Sequence, residues 1–423
     1  MTTPRPRPTN QAGPPCTRRG FLAGATALSL TAFAPEWTGG SRGRAHAAPA
    51  DKPPVARRYR VGVIGHTGQG DYGHDLDKVW LDVPEAQIVA VADANPQGLA
   101  AAVNRLGAPK GYADYRQMLD EAKPELVSIC PRWLDQHRDM VVAAAERGVR
   151  GIYLEKPLAR TLAEADEMVA ACEKHHVKVA IAHQTRYSPK LPVVQELIAS
   201  GKIGRLLELR ARGKEDARGG GEDLWVLGTH VLDLMHFFGG PPQWCFASVL
   251  QQGRPIRKED VKPGAEGIGP LAGDEVHAMY RLAGGATGSF DSVRDAGGRP
   301  PRFGITLYGS RGIIEMGTNY MPPVVFLPDS SWSPGRSRKA WLAVSSAGVD
   351  KPEPIQDGRP HQGNVAAVND LIAAVEQDRQ PQASLATARA AIEMIVAVFE
   401  SHRVGGPVSF PLANRQNPLA MLG

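Results

Sequence analysis

Residues 60–70 carry the feature that most constrains the fold, an apolar run that breaks into closely spaced glycines. The run ends at a glycine, and two more glycines follow within five positions. This order predicts a β-strand, a tight turn and the start of a helix. Glycines there let the backbone approach a pyrophosphate, whose charge is met by free amides and the positive end of the helix dipole. The predicted nucleotide-contacting residues of this turn are Gly65, Thr67, Gly68, Gln69 and Gly70.

A second apolar run, residues 87–92, ends at Asp93, 28 positions after Gly65. An acid about 20 residues beyond a glycine fingerprint accepts hydrogen bonds from an adenosine ribose, and a carboxylate repels a 2′-phosphate. No arginine immediately follows Asp93, so NAD is favoured over NADP as the cofactor. The alternative interpretation of Asp93 is a solvated acid that caps the helix starting near Asn95.

Strand and helix patterns continue to alternate after Asp93. Predicted strands at 126–131 and 152–154 alternate with predicted helices at 135–147 and 162–174. This alternation is typical of a doubly wound α/β domain. Right-handed crossover connections would then bring Gly65, Asp93, Pro131 and the pair Glu155-Lys156 to one edge of the sheet.

The segment 151–157, Gly-Ile-Tyr-Leu-Glu-Lys-Pro, places two charges directly behind a short apolar run. Ligands of an open parallel sheet bind outside the carboxyl ends of its strands. Lys156 is therefore predicted to point into the crevice that also receives the ligand of the glycine turn. The alternative is a surface lysine that merely follows a strand.

These motifs together resemble the Gfo/Idh/MocA family of sugar and polyol oxidoreductases, and the resemblance covers nearly all of the chain after its amino-terminal segment. Its most specific part is the combination of Glu-Lys-Pro with Gly228-Thr-His230-Val-Leu-Asp233. The other matching segments are Ile129-Cys-Pro131 with His137, Arg186-Tyr187-Ser-Pro189, Gly201-Lys-Ile-Gly204 and Gly363-Asn364.

The resemblance implies an α/β fold: an N-terminal Rossmann-type doubly wound parallel sheet, then an α+β domain with a large open, mainly antiparallel sheet. Strand patterns at 206–211, 243–251, 275–282, 286–293 and 303–308 support the second sheet independently. The predicted organisation is a signal peptide at 1–47, an arm at 48–57, the NAD-binding domain at 58–185 and the substrate and oligomerisation domain at 186–423. Late helices at 361–377 and 385–403 are expected to pack on the Rossmann domain, and loop 253–273 is a lid, a subunit contact or a solvated loop.

The resemblance also implies the site residues. Lys156 and His230 are the expected catalytic pair, since oxidation of a carbinol requires a group that takes up the hydroxyl proton. The alternative for His230 is a satisfied histidine on the inner face of a single helix predicted at 224–238. Many family members carry an aspartate four residues before this histidine, where this chain has Val226. The expected cofactor contacts beyond the glycine turn are Asp93, Pro131, His137, Glu155, Lys156 and Arg186. The expected substrate contacts are Lys214, Asp216, Asp223 and Asp233, with Glu222 in the same loop.

The function that follows is an NAD(P)-dependent oxidoreductase acting on a CH-OH group of a sugar, sugar derivative or polyol. One alternative is an NAD-dependent glycosidase or lyase that uses transient oxidation. A second, motivated by Val226, is a non-catalytic protein that binds a sugar or a partner. The resemblance also implies a homo-oligomer.

The amino terminus predicts export. Arg18-Arg19 precede a weakly apolar run that ends near Ala34, and Ala45-His-Ala47 follows, which is typical of a twin-arginine (Tat) signal with a cleavage site. The run is too short for a permanent membrane span, so a periplasmic or other extracytoplasmic location is expected, with the Tat machinery as partner. Because little free NAD exists there, the cofactor should be bound tightly.

Charge and cysteine content narrow the partners. The chain has a formal charge of +5, but residues 48–423 carry 43 basic and 43 acidic side chains, so no basic surface suggests nucleic acid. Cys130, Cys172 and Cys245 are scattered and cannot form a full set of disulfides. No cysteine or histidine spacing predicts a metal site.

Overall fold

The computed structural model describes residues 58–423. The predicted signal peptide at 1–47 and arm at 48–57 lie outside the described residues.

The first part of the described chain is a six-stranded parallel sheet with helices on both faces. Its strand order is β3-β2-β1-β4-β5-β6, so the order reverses between β1 and β4. Crossovers of this kind leave a crevice at the carboxyl ends of the two strands where the order reverses. The strands are β1 (Tyr59–Ile64), β2 (Ala86–Ala92), β3 (Gly111–Tyr112), β4 (Leu126–Ile129), β5 (Gly151–Leu154) and β6 (Lys178–Ile181), and the helices are α1 (Pro96–Leu106), α2 (Tyr115–Ala122), α3 (His137–Glu146) and α4 (Leu162–Lys174).

The second part is built on a large mixed sheet. Its strand order is β18-β17-β16-β15-β14-β7-β13-β12-β8-β19, with β9 paired to β8. The β7–β13 pair is parallel and the other pairs are antiparallel. The strands are β7 (Leu206–Arg212), β8 (Pro242–Gln251), β9 (Arg254–Pro255), β12 (Glu275–Leu282), β13 (Thr287–Val293), β14 (Gly304–Gly309), β15 (Ile313–Gly317), β16 (Val324–Leu327), β17 (Leu342–Ser345), β18 (Gly348–Val349) and β19 (Val408–Ser409), with a separate hairpin of β10 (Lys262–Pro263) and β11 (Pro270–Leu271).

Within residues 58–423, six α-helices follow the first domain. They are α5 (Leu191–Ala199), α6 (Gly221–Val226), α7 (Gly228–Gly239), α8 (Pro334–Ser337), α9 (Pro360–Gln377) and α10 (Leu385–Val404). Of these, α6, α7 and α10 pack on the large sheet. α9 packs on β5 and β6, and α10 packs on β8, α7 and α4. Both late helices therefore contact elements of the first domain, α9 through β5 and β6 and α10 through α4.

The predicted fold class is confirmed, but two local predictions are wrong. No α-helix follows the glycine turn, because the chain forms successive turns and only a 3₁₀-helix at Lys78–Asp82 before β2. The single helix predicted at 224–238 is two helices, since the backbone leaves helical geometry at Leu227, whose φ is −116°. Among the described residues, no helix combines the length and apolar character needed to cross a bilayer.

Candidate active site

The glycine turn folds back on itself. The amide of Gly68 donates to Asp71 Oδ1 (2.9 Å), and the amides of Gln69 and Asp71 both donate to the His66 carbonyl (2.9 Å). Gly65 lies under the Tyr72 ring, where a Cβ would come within 2.2 Å of the ring carbons. Most turn amides are thus already bonded, so the expectation of several free amides at a helix start is wrong.

Asp93 lies at the predicted place, at the end of β2, and it is buried. Its carboxylate accepts from the Thr67 amide and hydroxyl, the Asn95 amide and the Tyr72 hydroxyl, at 2.7–3.2 Å. A carboxylate has about four lone-pair positions. These donors from its own chain therefore occupy the acceptor capacity that a ribose would use.

A cavity of about 410 Å³ opens beside Asp93 at the carboxyl ends of β1, β2 and β3. Its walls include Gly65, Ala94, Tyr115, Arg116 and Gln136. The cavity lies beside the position where the strand order reverses, which is where doubly wound sheets bind dinucleotides.

Arg132 follows β4 next to the glycine turn, and its amide donates to the Gly70 carbonyl (3.1 Å). Its Nε is buried and has no hydrogen-bond partner among the described residues. A buried guanidinium donor without an acceptor fits a bound anion. The cavity beside Asp93 and the unpartnered donor of Arg132, next to the glycine turn, each fit an anionic dinucleotide. Arg132 was not predicted from the sequence.

Glu155 and Lys156 directly follow β5 and contact different segments of the chain. Glu155 is fully buried, and its carboxylate accepts from the amide (3.2 Å) and Nδ1 (3.0 Å) of His74. Burial would raise the pKa of Glu155, but the His74 hydrogen bonds and the Lys156 charge outweigh it, so the pKa lies below its ordinary value. Glu155 is therefore an ionised acceptor inside the protein.

The Lys156 ammonium donates to the carbonyl of Val226 (3.1 Å), at the junction of α6 and α7. Burial lowers the pKa of Lys156, while the charges of Glu155 and Glu266 oppose that change. At the position where many family members have an aspartate, this chain thus supplies a backbone carbonyl to the lysine. His230 follows in the first turn of α7, so the second domain brings it to Lys156.

His230 is partly buried, and its ring makes no hydrogen bond within residues 58–423. Its ring contacts His183 edge-on, with centroids 5.3 Å apart, and Phe303 at 6.4 Å. Desolvation, with the nearby positive charges of Lys156 and His183, holds the pKa of His230 well below its ordinary value. The ring is therefore neutral near pH 7 and free to bond a ligand.

Two predicted site residues are instead a buried ion pair. Arg186 Nη1 lies 3.1 Å from Asp233 Oδ1, and Arg186 Nη2 donates to the Gln382 carbonyl (2.9 Å). Asp233 does not pair with His230, because its carboxylate is directed to Arg186 and lies 3.8 Å from His183 Nδ1. Asp233 is thus occupied by Arg186, whose two Nη groups are bonded and whose Nε is buried without a hydrogen-bond partner among the described residues.

His137 and Pro131 connect the two strand ends. The His137 ring is fully buried, with Nε2 2.7 Å from the Pro131 carbonyl and Nδ1 3.1 Å from the Leu158 carbonyl. Since both ring nitrogens meet backbone, His137 positions the segments after β4 and β5. It has no ring nitrogen left for a cofactor.

The charged loop before α6 is largely self-paired. Asp216 bonds Arg218 (2.8 Å) and Lys214 (3.3 Å), and these contacts, led by Arg218, lower the pKa of Asp216. Asp223 is buried and accepts from Ser292 Oγ (2.6 Å) and the Glu215 amide (3.0 Å). Glu222 borders a different cavity, of about 300 Å³. Asp223 therefore braces the loop. Within residues 58–423 none of these side chains bonds Lys156, although Arg218 of the same loop adds to the effect of burial in lowering the pKa of Lys156.

His74 is the histidine that the sequence reasoning missed. Its amide and Nδ1 bind Glu155, and its carbonyl accepts from Asn364 Nδ2 of α9 (2.8 Å). The side chain remains 51% exposed. Only the tertiary structure shows that His74 belongs to this site, because positions 74, 155 and 364 are far apart in sequence. The order Gly73-His74 after the glycine turn was the available signal.

The three cysteines of the described chain are free and buried. Among residues 58–423, no cluster of three or more His, Cys, Asp or Glu side chains has a geometry that could hold a metal ion.

The sequence matches two family models. An oxidoreductase family with an NAD-binding Rossmann fold matches residues 59–183, and the Gfo/Idh/MocA C-terminal domain matches residues 193–315. Together they cover more than half of the chain. The chain belongs to the Gfo/Idh/MocA oxidoreductase family.

Sugar dehydrogenases are among its similar proteins. Levoglucosan dehydrogenase of Pseudarthrobacter phenanthrenivorans is 30% identical over 53% of this chain and 63% of its own length. D-apiose dehydrogenase of Paraburkholderia graminis is 32% identical over 49% of this chain and 56% of its own length. The matched regions thus span about six tenths of these relatives.

Solved structures agree on the fold. Levoglucosan dehydrogenase in complex with NADH and levoglucosan is 24% identical, with a TM-score of 0.68, covering 84% of this chain and 100% of the other. At this identity the likeness supports the architecture, including both sheets.

Proposed function

We propose that this protein is an NAD-dependent oxidoreductase that acts on a CH-OH group of a sugar, sugar derivative or polyol. The observation that carries the proposal is the hydrogen bond from Lys156 to the segment just before α7, the helix that carries His230. The buried ammonium of Lys156 reaches the α6–α7 junction, one turn before His230. A buried lysine and a free neutral imidazole beside a dinucleotide cavity are suited to proton transfer at a hydroxyl.

The cofactor assignment rests on the cavity beside Asp93 and on the unpartnered Nε of Arg132. The named chemistry of similar proteins, including an NADH complex of levoglucosan dehydrogenase, supports the choice of nicotinamide and of a sugar. Bound NAD⁺ would accept the hydride from the carbinol carbon. NAD is favoured over NADP because the Asp93 carboxylate borders the ribose region.

This chain's own residues would hold the hydroxyl and move its proton. Lys156 donates a hydrogen bond to the substrate oxygen, since its ammonium already meets one carbonyl and has two further protons. His230 contacts the same oxygen from the second domain, and Phe303 excludes water from one side of the ring.

The first experiment is mass spectrometry of nucleotide released from the purified protein, followed by absorbance at 340 nm with levoglucosan, D-apiose and myo-inositol. Bound or added NAD that becomes reduced supports the proposal. A protein that neither contains nor binds NAD would overturn it.

Export by the Tat pathway is part of the proposal and rests on Arg18-Arg19 and the apolar run after them. A fusion of residues 1–57 to a folded reporter should reach the periplasm. The double substitution Arg18→Lys, Arg19→Lys should keep that reporter in the cytoplasm. Export that persists in the double variant would remove the Tat assignment.

A homo-oligomer is also proposed, with the outer face of the large sheet as the interface. Phe246 of β8 and Met279 of β12 lie directly opposite each other on that face and are 46% and 40% exposed. Large apolar side chains exposed on neighbouring strands mark a contact surface.

A further inference from the structure

We infer that His74, oriented by Glu155, is a third catalytic group of this site and the acceptor of the substrate's hydroxyl proton. This inference rests on the proposed function. It deepens that function by assigning the proton acceptor, and the experiment below separates its failure from that of the function.

The geometry of the pair fixes the position of the hydrogen. Glu155 is ionised and only accepts, so the hydrogen shared with His74 lies on Nδ1. Nε2 of the neutral ring then carries the free lone pair. Carboxylates hold histidine bases in this tautomer and stabilise the imidazolium that forms.

Three contacts hold His74 in place. The Glu155 carboxylate accepts hydrogen bonds from the amide and from Nδ1 of His74, and Asn364 Nδ2 donates to the His74 carbonyl. Gly73 before it has φ of +59° and packs so closely on Glu155 that a Cβ would lie 2.5 Å from Oε2. The backbone is therefore positioned on the carboxylate, while half of the side chain stays open to a ligand. A purely structural contact would not require that exposure.

His74 lies on the same side of the sheet as the other two groups. Glu155 precedes Lys156 and also accepts from the Lys156 amide (3.1 Å). The positive charge of a protonated His74 contributes to lowering the pKa of His230. Because Glu155 directly follows β5, its hydrogen bonds place His74 at the carboxyl edge where ligands of such sheets bind.

His230 differs from His74 in what surrounds it. No carboxylate bonds its ring, and desolvation together with Lys156 opposes its protonation. A base must become cationic, so the carboxylate-paired ring is the better acceptor. In the oxidation, the C–H hydrogen leaves as hydride to the nicotinamide, and the O–H proton passes to Nε2 of His74. The products are a carbonyl compound, reduced nicotinamide and an imidazolium.

His74→Asn separates the catalytic role from a structural one. The asparagine amide can occupy the Nδ1 position and donate to Glu155, but it has no group at the Nε2 position. We expect unchanged thermal stability and NAD content, and kcat lowered by about 10²-fold or more. The pH dependence of kcat/KM in His74→Asn should differ from that of the wild type, and imidazole should partly restore the activity of His74→Ala. The control is His175→Ala, which removes a histidine at the end of α4, just before β6 and therefore at the opposite edge of the sheet.

A measurement that needs no sugar completes the test. In protein labelled with ¹⁵N-histidine, the His74 signals should report the Nδ1–H tautomer and should shift on addition of NAD⁺, while those of His175 should not. NAD⁺ that binds without moving the His74 signals, or His74→Asn activity within threefold of wild type with an unchanged pH profile, would overturn this inference alone. Failure of the wild type to bind NAD⁺ would overturn the proposed function and this inference together.

Discussion

Lys156 obtains its position from two directions. Its backbone ends β5, which is set by the parallel pairing with β4, and its ammonium is held by the Val226 carbonyl of the second domain. Lys156 is therefore held between the two domains by a contact with Val226, which lies 70 residues later in the sequence. Burial removes water from the Lys156 amine, and this loss of hydration lowers its pKa. A buried lysine without a full ion pair is typical of a functional site.

Lys156→Ala should abolish turnover, with a loss of kcat of at least about 10³-fold, because the amine contacts the reacting oxygen. The affinity for NAD should change by less than about threefold, because Lys156 does not line the cavity beside Asp93. Steady-state kinetics and calorimetric titration with NAD measure the two effects. Lys174→Ala, on the exposed end of α4, is the control. Substantial activity of Lys156→Ala would contradict the catalytic assignment.

At the scale of elements, the loop between β1 and the 3₁₀-helix at Lys78–Asp82 replaces the helix that usually follows a glycine turn. It packs against the segment after β4 at Gly70 and against Glu155 at Gly73. One loop therefore contacts the ends of β4 and β5 and carries His74. Its rigidity supports both the cofactor cavity and the acid–base site.

Gly70→Ala should disrupt that packing. Gly70 has φ of +96°, and a Cβ would lie 2.5 Å from the Arg132 amide and 2.6 Å from the Trp133 amide. We expect a loss of more than about 2 kcal/mol in the free energy of unfolding and weaker NAD binding. Gly68→Ala is the matched control, because its φ is +85° but a Cβ there meets open space. It should cost only about 1 kcal/mol. If urea unfolding shows the same loss of free energy for Gly70→Ala and Gly68→Ala, the close packing around Gly70 does not contribute to stability.

At the scale of the whole molecule, buried histidines make stability depend on pH. Burial lowers the pKa of His183, outweighing the opposite effect of Asp233. A histidine with a lowered folded pKa binds fewer protons than the unfolded chain, so its stabilisation is present above about pH 6.5 and is lost as pH falls. We expect the protonation difference at His183 to lower the free energy of unfolding by up to about 1 kcal/mol as the pH falls from about 7.5 to about 5.5.

Urea unfolding of wild type and His183→Asn at the two pH values measures this effect. The variant should lose less stability on acidification. His277 is a control of opposite sign. Burial opposes its protonation, but Asp291 and Glu275 raise its pKa, so its contribution is present at low pH and is lost as pH rises. A steeper loss in His183→Asn than in wild type would refute the prediction.

The outer sheet face supplies the second prediction at this scale. The double variant Phe246→Glu, Met279→Lys should lower the molar mass measured by light scattering, because it puts charges at the centre of the proposed interface. Leu81→Glu changes an equally exposed apolar residue (55%) outside the large sheet and should leave the mass unchanged. A monomeric wild type, or an oligomer unaffected by the double variant, would remove this interface.

The sequence by itself determined the class of fold and the location of the site. Strand β5 is apolar at every position and ends in Glu155 and Lys156, so its burial and its exit into the crevice follow from local pattern. The same applies to Asp93 after β2 and to the strands of the second sheet. These features depend on the pattern of apolar and charged residues within one element, and that pattern can be read directly from the sequence.

Only the tertiary structure decided which polar groups are free. Asp93 is occupied by Thr67 and Tyr72, Asp233 by Arg186, and His137 by two carbonyls, whereas His74 and the Nε of Arg132 retain open hydrogen-bonding capacity. A hydrogen bond between distant residues depends on how separate elements pack, and no local pattern encodes that arrangement. The sequence therefore identified the edge of the sheet where chemistry occurs, and the packing of loop, helix and second domain selected the residues available for it.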